Sequence, residues 1–199
     1  SSCFSEWTAL WASAWGISLI KTVQKHRLHG KAAFLFTNVL DSEPAHMTYL
    51  LVDASGAREW GNKLDRAGFI HPPLVQTPEL SKLDSRPQEA GFLESVTSSG
   101  QTCKAVGWAI IRKRFRPADA VLLAYDDPMR GPIAFALTVP VTPRPEVVQR
   151  LHDYAFGLSG WSCEFDRSKI PTGDRRITAW AFDADKFVLY PLSTPQMIH

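Results

Sequence analysis

Cysteine is scarce in this chain, bilayer-length apolar runs are missing, and neither sign of charge dominates. The 199 residues hold three cysteines, Cys3, Cys103 and Cys163, with no CxxC and no metal-ligand spacing. Cys103 and Cys163 both fall in predicted strands. Two buried free thiols fit that placement, and so does a disulfide in an oxidising compartment. The net charge of +2 gives no field of the kind that draws a nucleic acid, so no nucleic-acid partner is expected. The most apolar N-terminal run, Trp7 to Ile20, carries Thr8, Ser13 and Ser18 and falls short of the roughly 20 residues that span a bilayer. No basic n-region, apolar h-region and cleavage site stand at the start, and the first residue is Ser1. This reads as a processed product or an excised piece.

Catalytic patterns are equally sparse. His26 and His29 make an HxxH, but no Glu follows at a catalytic spacing. Ser159 in LSGW lacks the flanking glycines of a nucleophile elbow. Cys103 or Cys163 as a nucleophile needs a base, and His152 is the one histidine within the predicted sandwich. Asp126 and Asp127, with Asp183 and Asp185, offer hard oxygen ligands for Ca²⁺ if they share one end of the fold. Turn residues bonding their own backbone are the plainer reading. The expectation is a chain with no catalytic residues, no cofactor and no resident metal.

What the chain has is apolar and aromatic: 45% hydrophobic residues and seven tryptophans, against 21% charged. From Gly91 onward, short β-branched and aromatic runs alternate with Pro, Gly, Asp and Ser. Strands are predicted at Phe92–Val96, Cys103–Ile111, Ala120–Tyr125, Ile133–Val139, Trp161–Phe165, Ile177–Phe182 and Phe187–Tyr190, with a hairpin turn at Asp183–Asp185. Pro145 to His152 predicts a short helix with Pro in its first turn. This is the pattern of a β-sandwich over residues 91–193, immunoglobulin-like or like a carbohydrate-binding module.

The first half is more helical. Phe4, Trp7, Trp11, Ala14 and Trp15 recur at helical steps over residues 4–28, with Lys21, Lys25, His26 and Arg27 at the basic end and Gly30 as the stop. Such a stripe packs on its own domain or lies against a membrane surface. Lys31 to Leu40 is an apolar run that fits strand or helix, and Met47 to Val52 is a second. Ala57 to Ala67 predicts a helix with Trp60, Leu64 and Ala67 on one face and Gly68 as C-cap. Residues 1–75 therefore read as a helical and mixed segment. The Pro- and Ser-rich stretch 76–90 reads as a linker. The fold class is α+β: an N-terminal helical segment followed by a mainly antiparallel β-sandwich.

The order of several short motifs carries a resemblance. They are Gly107-Trp108-Ala109, Pro117-Ala118-Asp119-Ala120-Val121, Arg144-Pro145-Glu146-Val147, Ser159-Gly160-Trp161 and Tyr190-Pro191-Leu192. Upstream come Gly30-Lys31-Ala32, Asn38, Leu64, Gly68-Phe69 and Pro72-Pro73-Leu74. The chain resembles, over about residues 28–192, the C-terminal β-sandwich of bacterial integral membrane proteins similar to polytopic envelope glycosyltransferases. That resemblance implies a periplasmic, sugar-related setting. It implies a non-catalytic accessory domain that meets glycan or lipid-linked sugar, since the chemistry belongs to the membrane portion.

Sugars are held by aromatic faces beside Asp or Arg. Trp108 and Trp161 each follow a glycine and read as packing anchors. Trp180 is the candidate exposed platform, with Arg144, Asp126 and Asp183 as further ligand contacts. From a different class comes a structural or oligomerisation module that packs the stripe of residues 4–15 on a partner subunit.

Overall fold

The computed structural model of the chain describes residues 26–40 and 54–198. The aromatic stripe of residues 4–15, most of the 4–28 helix, the Met47–Val52 run and Cys3 lie outside them. The protein is α+β and mainly antiparallel. Its described elements are α1 (residues 26–35), α2 (Ala54–Arg66), β1 (Gly91–Ser99), β2 (Thr102–Ile111), β3 (Arg116–Pro117), β4 (Ala120–Asp127), β5 (Gly131–Thr138), α3 (Pro145–Leu151), β6 (Gly160–Asp166), β7 (Arg175–Asp183), β8 (Val188–Pro191) and β9 (Gln196–Ile198).

Two antiparallel sheets face each other. In the first, β2 pairs with β1 on one side and β6 on the other, and β3 folds back on the end of β2. The second has the order β5-β4-β7-β8, with β9 continuing the β8 edge along β7. Leu93, Ala105, Val121, Phe135, Trp161, Phe165, Ile177 and Ala179 fill the space between the sheets. Thr138 of β5 donates its hydroxyl to the Ser162 carbonyl of β6 at 2.8 Å, tying the sheets together along one side.

Helices cover the outer face of each sheet. The second sheet buries Leu122, Ala124, Leu137, Phe182 and Leu189 beneath Ala32, Ala33, Leu35 and Phe36 of the α1 region. The first sheet packs Trp108 and Ile110 against Val147 of α3 and Phe156. Strands buried on both faces have no reason to alternate, which is why β4 reads AVLLAY as one apolar run.

Two expectations are corrected. Gly30 does not end the first helix, which runs on to residue 35. A mid-helix glycine costs about 1 kcal/mol, and burial of Leu28, Ala32, Ala33 and Leu35 outweighs it. Residues 76–90 form a strap across the second sheet. Ala134 of β5 donates to Pro78 O at 2.8 Å, Leu80 is buried, and Asp84 and Arg86 each bond the Leu189 backbone of β8 at 2.9 Å. The strap thus joins opposite edges of one sheet, about 14 Å apart at about 4.8 Å per strand. Its prolines cost nothing where only carbonyls are needed. The predicted Trp60–Leu64–Ala67 face of α2 points outward, while Gly61 on the other side meets Phe34 and Leu74.

Cys103 and Cys163 are buried and not joined in a disulfide. The β2–β6 register sets Cys103 opposite Phe165 and Cys163 opposite Ala105, so the two thiols are diagonal neighbours. Diagonal pairs on adjacent strands sit beyond ordinary disulfide reach.

Candidate functional site

The most highly built polar cluster gathers at one end of the second sheet. Asp119 enters β4, Asp183 closes β7, and the β7–β8 turn brings Asp185 beside them. Asp119 and Asp183 are almost fully buried. Arg116 of β3 forks onto Asp119 through both terminal nitrogens, the Nη2 contact with Oδ2 at 3.0 Å, and its Nη2 reaches Asp183 Oδ1 at 3.3 Å. Arg114 lies 3.6 Å from Asp183 and 3.8 Å from Asp185, and Lys31 of α1 comes within 3.9 Å of Asp185. Backbone amides take the remaining oxygen capacity: Ala184 N donates to Asp119, and Asp185 N and Lys186 N donate to Asp183. Burial pulls the Arg116 pKa down, while Asp183 and Asp185 push it back up.

Three cations thus match three carboxylates, and the cluster ties α1, β3, β4 and the β7–β8 turn together. Its chemistry is closed pairing. Among the described residues no group of three His, Cys, Asp or Glu side chains is arranged to hold a metal ion.

Arg144, at the N-terminus of α3, is fixed just as firmly. Its Nη1 bonds Glu94 at 3.0 Å and the Gly107 carbonyl at 3.2 Å, and it also pairs with Glu146. Glu94 sits at the register shift between Leu93 and Ser95 of β1, a β-bulge that re-aims one side chain. The hydrogen bond to Glu94 raises the Arg144 pKa. The stem of Arg144 lies over Gly160, where an added Cβ would meet its Cγ and Cδ at 2.8 Å.

The other sequence candidates also find internal partners. Trp180 is half-buried against the cluster beneath α1 and donates its indole N–H to Thr178 Oγ1 at 3.1 Å. Asp126 pairs with Arg176 at 3.5 Å. The antiparallel β4–β7 register pairs Ala120 with Phe182 and Tyr125 with Ile177. It therefore puts Asp126 and Asp183 at opposite ends of the sheet, about 20 Å apart at about 3.3 Å per residue. A calcium site shared by these aspartates is ruled out by that separation. Trp108 and Trp161 are buried, as packing anchors must be.

In the basic turn, Arg112 pairs with Glu89 at 3.2 Å, while Arg114 and Arg116 serve the buried aspartates. Phe115 between them has φ 50°, a left-handed conformation that is uncommon for a bulky side chain, and it is exposed. β3 runs beside the 3-10 turn Tyr154–Phe156, whose Tyr154 is also exposed. Neither aromatic stands out in the sequence. Their one signal was an aromatic residue set among charged loop residues, in RFRP and HDYAF. A shallow depression at Gln101 and 167–173 has its Arg167 guanidinium spent on the carbonyls of Ile170, Pro171 and Gly173.

The fold defines the class: an α+β protein built on an antiparallel sandwich with helices on both outer faces. Comparison with known proteins finds no matching protein-family model, no matching curated protein and no matching solved structure. No helix of the described residues is long and apolar enough to cross a membrane.

Proposed function

We propose that the chain is a non-catalytic accessory domain on the extracytoplasmic face of a bacterial membrane protein, where it contacts glycan or lipid-linked sugar. The likeness of its motif order to the sandwich of envelope glycosyltransferase-like proteins supports the setting. One observation carries the mode of action. The buried charged groups are consumed in internal pairs, while Phe115 and Tyr154, 66% and 92% exposed, stand on neighbouring elements. Exposed rings bind the apolar faces of sugars by stacking, which needs no catalytic group. In this reading the aromatic platform sits at Phe115 and Tyr154.

Titration of the chain with oligosaccharides from bacterial envelope polymers tests this. The wild-type protein binds at least one of them, and the Phe115→Ala, Tyr154→Ala double variant loses about tenfold or more in affinity, as removal of stacking contacts predicts. Equal binding by wild type and variant removes this surface from the account.

A further inference from the structure

The α2 helix closes with a backbone pattern that gathers apolar groups on its outer side. Gly68 has φ 75°, Gly68 N donates to Asp65 O at 2.9 Å, and Phe69 N donates to Leu64 O at 2.9 Å. This is the Schellman arrangement, which folds the residue after the glycine back toward the helix's last turn. Phe69 is thereby set on the side of Leu64, and Trp60 lies one turn earlier on that same side. All three are exposed, Trp60 by 61%, Leu64 by 41% and Phe69 by 76%. The opposite side of α2 is committed to the protein. Gly61 meets Phe34 and Leu74, Asn62 exchanges hydrogen bonds with Asn38, and Arg58 Nε donates to the Thr37 carbonyl.

The charges around this ridge are sorted. Lys63 and Arg66 occupy the last turn, and no acidic residue stands in the first. Asp65 is turned inward, accepting from Leu74 N at 3.2 Å. Glu59 is paired with Lys63 at 2.6 Å, and the Lys63 ammonium sits 5.0 Å from the centre of the Trp60 ring. The ridge is therefore a convex wedge of Trp, Leu and Phe beside Arg66 and Lys63, the latter in an exposed pair with Glu59 that a lipid phosphate can replace. Protein–protein interface cores are depleted in Lys, whereas helices lying in a bilayer interface set Trp, Phe and Leu beside Lys and Arg.

We propose that the Trp60–Leu64–Phe69 ridge of α2 is a docking surface for an anionic lipid bilayer, with the three apolar side chains entering the headgroup region and Lys63 and Arg66 meeting lipid phosphates. The proposal rests on the accessory-domain reading for the presence of a membrane beside the chain, and it names the surface that faces that membrane.

The test is co-sedimentation of the full chain with vesicles of phosphatidylglycerol and phosphatidylcholine in equal parts, and with phosphatidylcholine alone. Trp60→Ser and Phe69→Ser lie outside the core and leave the circular dichroism spectrum unchanged. The wild-type chain pellets with the anionic vesicles, each variant lowers partitioning about tenfold, and added salt weakens binding further. Equal pelleting of wild type and double variant overturns the proposal. So does a wild-type chain that stays in the supernatant with both vesicle types, or one that self-associates through Trp60 and Phe69 in place of binding lipid. None of these outcomes touches the accessory-domain reading, which is scored separately by where the native protein resides in cells.

Discussion

Gly107 lies directly opposite Trp161 in the β2–β6 ladder, and a Cβ at position 107 would stand 2.7 Å from Trp161 Cζ2 while pressing on the Phe92 carbonyl. The adjacent pair reverses the arrangement, setting Trp108 opposite Gly160, where the Arg144 stem fills the space above the glycine. The two glycines let a buried indole and a buried arginine stem cross the sheet on opposite faces. Gly107→Ala is therefore expected to destabilise the protein by about 3 kcal/mol through overpacking. Urea unfolding should show a lower midpoint at an unchanged slope. An unchanged midpoint would mean that the ladder is placed differently.

The buried pairing around Asp183 leads to a contrast between two arginines. Arg116→Met leaves Asp119 and Asp183 buried with a lost partner, at a cost of about 3–5 kcal/mol. Arg112→Met breaks only an exposed pair with Glu89 and costs under about 1 kcal/mol. Thermal unfolding of the two variants side by side reads the difference.

Much of the fold was legible because β-branched and aromatic runs mark strand centres without knowledge of their partners. The seven predicted strands and the Pro145 helix all appear, with ends shifted by a few residues. β3 and β9, two and three residues long, carry no such signal and exist through what they pair with. The extension of α1 through Gly30 and the course of residues 76–90 were illegible for a related reason. Both are decided by burial on a sheet formed more than thirty residues later in the chain. The candidate site was legible in residue type only. That Arg144 reaches Glu94, fifty residues away, depends on a bulge that no spacing in the sequence announces.

Removal of the first half tests the strap and α1 together. Residues 88–199 alone expose Leu122, Leu137, Phe182 and Leu189, which α1 and the strap cover in the intact chain. That fragment is expected to bind a hydrophobic dye and to lose its cooperative thermal transition, whereas the full chain keeps it. A sharp transition in the fragment would show that the sandwich stands without its helical cover.

Acid stability depends in part on the β4–β5 turn. The Asp127 carboxylate accepts from Met129 N and Arg130 N, both at 3.0 Å, and these bonds hold its pKa below the usual aspartate value. A depressed folded pKa stabilises the protein above the unfolded value, about 3.9, and this contribution is lost as pH falls through the folded value. Asp127→Ala should therefore be less stable than wild type near neutrality, and the gap should narrow as pH falls below the unfolded value. A gap that is constant across that range would assign the effect to shape alone.

Where the native protein resides is the measurement closest to the central claim. Cells making the full-length natural protein are fractionated, and spheroplasts are treated with protease added from outside. Recovery with the membranes and digestion of the sandwich from the outer side is the predicted result. Recovery in the cytosol, protected from external protease, would contradict an extracytoplasmic accessory domain.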